Sequence, residues 1–390
     1  LLLRQVDHRL GLSDRLARCF TDYRNPNSIE HGVLSLVAQR VYGLALGYED
    51  LNDHDQLRQD PLLGLMAGKA EPGAEPLAGK STLNRMELGN GTPDRYKKIT
   101  FWRDGVDELL VNVFLEAHPV PPGQIILDID TTDMALHGKQ EGRFYHGHYG
   151  HYCYLPLYIF CGDHVLCARL RPSSVGPAVG ARKEVERVVN QIRLCWPDVL
   201  IILRGDSGFC ANELLSWCEQ NRVEYAVGMA RNQRLERLVA GALAEARQQW
   251  ESTQKPARVF VEFEHETLSG SWSRKRRVVA KAEHIDGKSN PRFIVTSLAA
   301  DNWPQRELYE QTYCGRGDME NRIKEQFVLF ADRVSASTMR ANQLRIYLSV
   351  IAYTLMNGLR RLGLKATALA TAQVGTIRLR LLKIGALVRV

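Results

Sequence analysis

The chain has 390 residues, enough for two or three domains, and its 45% hydrophobic and 24% charged content is that of a globular protein, which argues against a disordered chain. A net charge of +7 with a pI of about 9.0 favours an anionic partner such as nucleic acid. The eight cysteines form no Cys-x-x-Cys pair, no signal peptide is present, and no uninterrupted apolar run reaches membrane-spanning length, so a disulfide-framed secreted protein and a membrane protein are both set aside in favour of a reduced, cytosolic one.

The chain begins at Leu1 without a methionine and stops at Val390 inside an alternating pattern, which suits a fragment of a longer protein. Residues 1–119 read as mainly helical. Ser28 to Leu46 places Val33, Leu34, Val37, Val41 and Leu44 on one helical face. Leu51 to Leu65 and Ser81 to Leu88 read as further short helices, with Ser81 as the N-cap of the second. The Pro-, Gly- and Ala-rich run from Ala67 to Lys80 between them reads as a loop. Trp102 to Leu115 is another helix, with Val106, Leu109, Leu110 and Val113 inward. Small helices linked by tight turns in a basic chain suit a DNA-binding region, although helical bundles of every function share that pattern. Gly79-Lys80-Ser81 imitates the end of a phosphate-binding loop, but position 74 is alanine where that motif needs glycine, and no strand precedes it.

From 120 to 230 the pattern changes to strands. Gln124 to Thr132 is a short buried strand, with Ile125, Leu127 and Ile129 alternating, and it delivers Asp130 where strand gives way to loop. A strand is rigid and holds a carboxylate better than a loop does; a bland alternative is an aspartate that caps the next turn. Asp128, two residues earlier, shares its face. His146, His148, His151 and Cys153 in the following loop invite a zinc reading, but their spacing matches no closed structural site, and histidines lining a loop near phosphates fit better. Cys153 to Phe160 and His164 to Leu170 read as a hairpin, and Lys183 to Cys195 as an amphipathic helix. Val199 to Leu203 is a continuous apolar run, as in a strand buried on both faces. It ends in Gly205-Asp206-Ser207-Gly208, with Gly205 expected to supply a tight turn and Asp206 to be a second strand-end carboxylate. The same four residues surround the nucleophile of trypsin-like proteases, but the α/β context here rejects that role for Ser207. Asn212 to Gln220 is a helix and Glu224 to Val227 a strand. This order is that of a ribonuclease H-like core, a mixed sheet with helices on both faces.

Residues 231–300 form a block with strands at Val259–Glu264, Arg276–Ala282 and Phe293–Ser297, separated by hairpin signals at Ser269-Gly270-Ser271 and Asp286-Gly287-Lys288. Trp272 adjoins a basic run, Arg274, Lys275, Arg276 and Arg277. It reads either as a solvated edge guarded by cations or as a DNA-facing edge with Trp272 free to stack on a base. Trp303 to Phe330 reads as helix, interrupted near Gly315 and Gly317, in which Tyr313, Arg316, Glu320 and Lys324 fall on one face. A surface salt-bridge stripe is the ordinary explanation of such spacing, but a tyrosine and flanking glycines suit a stripe poorly. Thr338 to Leu362 is a long helix, and Thr376 to Val390, with Ile377, Leu379 and Leu381 alternating with arginines, reads as strand or hairpin.

On these residues the chain resembles the DDE transposases of bacterial insertion sequences. It looks like the branch with a Y-x2-R-x3-E-x6-K signature and an all-β insertion before the last acid, and within it like the insertion-sequence "thirteen-eighty" group. The Leu-Asp-Ile-Asp-Thr strand matches the first catalytic acid at Asp130, Leu-Arg-Gly-Asp-Ser-Gly-Phe the second at Asp206, and Tyr313, Arg316 and Glu320 the signature with the third acid. The signature lysine would fall at 327, which is Phe327, so Lys324 is the stand-in or the role is absent.

The resemblance implies two Mg²⁺ (or Mn²⁺) ions held by Asp130, Asp206 and Glu320, since hard cations take oxygen ligands and an in-line phosphoryl displacement uses such a pair. It implies positioning of DNA by Tyr313, Arg316 and Lys324, double-stranded transposon ends and target DNA as partners, a homodimer on DNA, and a bacterial cytoplasmic, nucleoid-associated location with no membrane. The expected organisation is a helical DNA-binding region over 1–119, a ribonuclease H-like core over 120–230 and 301–365 split by a β-rich insertion at 231–300, and a tail at 366–390. A nuclease that only cleaves, or a DNA-binding derivative without chemistry, would carry the same sequence features.

Overall fold

The computed structural model describes residues 1–71, 75–89, 91–267 and 270–385. Its strands in chain order are β1 (Phe20–Asp22), β2 (Ile99–Phe101), β3 (Gln124–Thr131), β4 (Met134–Ala135), β5 (Phe144–His146), β6 (His151–Tyr154), β7 (Leu157–Cys161), β8 (His164–Arg169), β9 (Leu200–Gly205), β10 (Val223–Met229), β11 (Ala257–His265), β12 (Arg276–Ile285), β13 (Lys288–Ser289) and β14 (Arg292–Thr296). A nine-stranded sheet dominates, in the order β11-β12-β14-β10-β9-β3-β7-β8 with β13 beside β12. The β3–β9 and β9–β10 pairs are parallel and the other pairs antiparallel. The β8-β7-β3-β9-β10 portion is the ribonuclease H-like core. The strands of the 231–300 block continue its sheet, because β14 pairs with β10.

Strand alternation divides the sheet into two unlike faces. Ile125, Leu127 and Ile129 of β3 and Ile201 and Leu203 of β9 pack with Val185, Val188 and Ile192 of the Ala181–Cys195 helix and with Leu214 and Leu215 of the Asn212–Gln220 helix. Each such side chain contributes roughly 1.5–3 kcal/mol by leaving water. The opposite face carries Asp128, Asp130 and Arg204, by the same period of two. Beside them it carries Tyr158 and Phe160, which pack with Tyr347, Ile351, Tyr353 and Leu355 of the Met339–Leu362 helix. That long helix is buried almost all round, and the Val33–Leu46 and Leu2–Leu10 helices pack against it. Thr338 caps it, as its hydroxyl accepts the Ala341 N–H.

Several local expectations change. The helix expected from Ser81 starts at Lys80 with Gly79 as its cap, and Lys80 pairs with Asp55 at 3.1 Å. The hairpin strand expected from Cys153 to Phe160 divides at Leu155-Pro156 into β6 and β7, which join different sheets, β6 pairing with β4 and β5 and β7 with β3 and β8. Two helices, Gln233–Leu238 and Ala240–Thr253, precede β11. The second packs on β11 and β12, where Trp250 stacks near His284. The strand expected from Thr376 is instead a helical turn, Val374–Ile377, running into a wide turn, Arg378–Leu382; residues 386–390 lie outside the described residues. Five alternating residues cannot distinguish the two periods. Here the contest is settled by Arg378, which donates to the carbonyls of Leu44, Ala45 and Val328, and by Glu325, which accepts the Val374 N–H. Ser269 of the expected hairpin signal also lies outside the described residues. All eight cysteines are free. Among the described residues no helix is long and apolar enough to cross a membrane.

Candidate active site

Parallel pairing of β3 with β9 sets Asp128 opposite Arg204 and Ile129 opposite Gly205, so Asp130 and Asp206 leave neighbouring strand ends side by side. Gly205 is needed for space rather than for a turn. It has no positive φ, and a Cβ there would meet Ile129 Cγ2 at 2.9 Å. Asp206 caps the short turn Ser207–Phe209, its Oδ1 accepting the Gly208 N–H at 2.8 Å.

Asp130 is mostly buried. Its Oδ1 accepts the N–H of Thr131 at 2.8 Å, and its Oδ2 faces Arg316 Nη1 at 3.2 Å. Burial pushes its carboxyl up to about 6; the Thr131 N–H and Arg316 oppose that shift, while the negative charges of Asp206 and Glu320 add to it.

Asp128, a candidate spare ligand by its shared face, is committed elsewhere. Its two oxygens accept from Arg204 Nε and Nη2, each at 2.7 Å, and Arg204 donates its remaining Nη1 to the Thr312 carbonyl. This buried bridge ties β3 and β9 to the segment that carries the third acid. Two glycines make room at this junction, Gly315 for Arg204 and Gly228 for Tyr313. A Cβ at Gly315 would meet Arg204 Nη1 at 2.7 Å, and one at Gly228 would meet the Tyr313 hydroxyl at 2.6 Å and the Ser207 nitrogen at 2.8 Å. Arg204 and Gly228 are therefore site-building residues that the sequence reading missed. The Arg immediately before Gly205-Asp206 was a visible signal for the first; nothing local marked the second.

The Tyr313–Lys324 face is not one continuous α-helix. Leu308–Tyr313 is a wide, π-helical turn, Cys314–Arg316 a tight 3-10 turn, and Gly317–Val328 an α-helix. Tyr313 and Arg316 turn into the cleft. Burial raises the Tyr313 phenol, Arg316 lowers it, and Asp206 raises it further. Glu320 and Lys324 stand outward, with side chains 71% and 69% exposed, and meet at 3.8 Å. Phe327, at the position of the signature lysine, is half-buried against the core and cannot substitute for a cation.

The Trp272 edge is placed elsewhere. Trp272 is buried between His265, 5.8 Å away ring to ring, and the Arg276 guanidinium at 5.1 Å, so no base can stack on it. Arg276 is buried too, bonded to Glu219 at 2.7 Å, Asn212 at 3.0 Å and Ser216 at 3.0 Å. Arg277 is taken by Glu262 and by the carbonyls of Leu298 and Trp303. Of the basic run only Arg274 and Lys275 face solvent, and Lys275 lies 4.0 Å from Glu266. Of the loop histidines, His151 is engaged, its Nε2 meeting Asp133 Oδ2 at 2.8 Å, and His148 is exposed.

Asp130 and Asp206 suit a hard divalent cation in donor type, both being carboxylates at rigid strand ends, and Asp130 is buried with Arg316 holding the place of a counter-charge. As the side chains stand, no three acid, histidine or cysteine side chains among the described residues converge on one ion position. Glu320, on the first turn of its helix, is the member turned outward.

Comparison with known proteins gives a match of residues 1–390 to the family model described as "Transposase DDE domain group 1". No curated protein matches the chain. Among solved structures, the chain is similar to a piggyBac transposase in a synaptic complex with hairpin DNA, at 12% identity and a TM-score of 0.45, over 99% of this chain and 82% of that one.

Proposed function

The chain belongs to the transposase DDE domain group 1 family, and from that premise we propose that it is the transposase of a bacterial insertion sequence, binding the element's terminal inverted repeats and catalysing DNA cleavage and strand transfer. The observation that carries the reading is the pair Asp130 and Asp206 at adjacent parallel strand ends, with Arg316 bonded to Asp130. Asp130, Asp206 and Glu320 would hold two Mg²⁺ or Mn²⁺ ions, which when bound polarise the scissile phosphate and the attacking oxygen.

The chain's own groups do the rest. The Asp128–Arg204 bridge ties the two strand ends to the turn before Tyr313. Arg316 neutralises part of the carboxylate charge that would repel a phosphate and presents a guanidinium that can hold a phosphate oxygen. Tyr313 adds one hydroxyl beside Asp206. Lys324 lies on the rim, where a single phosphate contact fits its exposure. In this reading residues 1–119 bind transposon ends, 120–230 and 301–365 form the catalytic core, 231–300 the insertion and 366–390 the tail; the working unit is a homodimer on double-stranded DNA at the bacterial nucleoid. The test is an in vitro reaction with candidate inverted-repeat ends, target DNA and Mg²⁺. Joined donor–target product supports the reading, cleavage without joining reduces it to a nuclease, and neither product overturns it.

A further inference from the structure

The small sheet between the first two acids has no role in the chemistry above, yet it exposes aromatic surface next to it. β5 and β6 pair so that Phe144 faces Cys153, Tyr145 faces Tyr152 and His146 faces His151. Alternation puts Tyr145 and Tyr152 on one side and Phe144, His146, His151 and Cys153 on the other. The second side is anchored: Cys153 is buried, the Phe144 carbonyl accepts from Ser173 Oγ at 3.1 Å, and His151 holds Asp133, three residues beyond Asp130. The connecting turn lies against that contact, since the Tyr149 ring is 6.2 Å from the His151 ring.

The first side is bare. Tyr145 is 52% and Tyr152 40% exposed, with ring centroids 5.5 Å apart at 78°. The Arg143 guanidinium lies over the Tyr152 ring at 4.2 Å. Lys139, on the run into β5, is exposed, and Glu141 on the same run accepts the Met339 N–H with one carboxylate oxygen. Exposed rings rimmed by cations are the composition that holds nucleic-acid bases by their faces and the backbone by its charge. Paired bases inside a duplex have both faces covered, so such a surface selects bases that are unpaired.

We propose that Tyr145 and Tyr152, with Arg143, form a stacking platform for unpaired bases of the DNA strand whose phosphodiester lies at Asp130 and Asp206. The inference rests on the DNA-processing reading and adds a base-binding site to it. It also relocates base stacking from Trp272, which is buried, to a hairpin attached to the first acid.

The test uses the full chain without divalent metal and two probes of one sequence, a blunt duplex and a duplex with a short single-stranded tail carrying a fluorescent adenine analogue. The parent binds the tailed probe more tightly and quenches its fluorescence. Tyr145→Ala with Tyr152→Ala loses about tenfold or more in affinity for the tailed probe, as expected for lost base–aromatic stacking, together with the quench, and binds the blunt probe as the parent does. Tyr145→Phe with Tyr152→Phe keeps both, since the rings remain. A double alanine variant that matches the parent on the tailed probe, or that weakens equally on both probes, overturns the platform. A parent that binds both probes equally overturns it while leaving the proposed function standing; a parent that binds neither removes both.

Discussion

The Asp130–Asp206 cleft and the Trp272–Arg277 edge carry similar inventories of charge and aromatic surface, and they end in opposite states. At the edge every strong group but two is satisfied internally: Arg276 by Glu219, Asn212 and Ser216, Arg277 by Glu262 and two carbonyls, Trp272 by burial. In the cleft, satisfaction is incomplete. Asp130 is buried with its carboxyl raised, held by one N–H and one guanidinium nitrogen, and Glu320 points to solvent with only a loose lysine. A charged group whose partners are all supplied by the fold stabilises the fold; one left short of partners is available to a ligand.

The largest contrast should come from single carboxamides. Asp130→Asn or Asp206→Asn should reduce DNA cleavage to background while the chain still folds, because each removes the charge of a proposed ligand and almost no volume; normal cleavage by either would remove that residue from the ligand set. Glu320→Gln should do the same to cleavage, and because Glu320 is exposed, its melting curve should overlay the parent's.

At the edge the effect should be on stability. Arg276→Ala leaves Glu219 facing a buried gap and should cost about 3–5 kcal/mol in chemical denaturation, while the folded fraction retains DNA binding. An Arg276→Ala protein that is stable but weak on DNA would put the edge back among the DNA contacts.

Arg316→Ala removes the cation beside Asp130 and should slow cleavage by about 10–100-fold, the usual range for a group that orients a metal ligand. It should also lower the salt dependence of end binding by about one ion. A structural stripe would give neither change.

The pH dependence is a finer probe. Asp130 titrates near 6 in the folded chain against an ordinary value of 3.8. The native state therefore keeps the proton longer than the unfolded chain, and stability contributed by this group is present below 3.8 and lost as pH rises to about 6. Melting temperature of the parent should fall across that window relative to Asp130→Asn, which lacks the titration. Parallel curves would show that Asp130 is not the raised group.

Smallest should be the exposed cations. Lys324→Ala, Arg274→Ala and Lys275→Ala should each change stability by less than about 0.5 kcal/mol. If Lys324 replaces the lysine missing at Phe327, its loss alone among the three should weaken end binding and slow cleavage as Arg316→Ala does.

The sequence by itself determined the strands and acids of the core. Alternation in Ile125-Ile126-Leu127-Asp128-Ile129-Asp130 and the apolar run ending at Gly205-Asp206 are local patterns, and a strand's two-residue period assigns their faces without knowledge of the rest of the chain. Only the tertiary structure decided which charges are struts and which are open. Arg204 and Asp128 are 76 residues apart and Arg316 and Asp130 are 186 apart, so no window of sequence contains both partners. The same holds for Gly228, whose missing Cβ matters because Tyr313 arrives from elsewhere, and for the segment after Gln373, turned into helix by Arg378 and Glu325 reaching distant backbone. Periodicity is written in neighbours along the chain, whereas satisfaction of a buried charge is written in neighbours in space, and only folding brings those together.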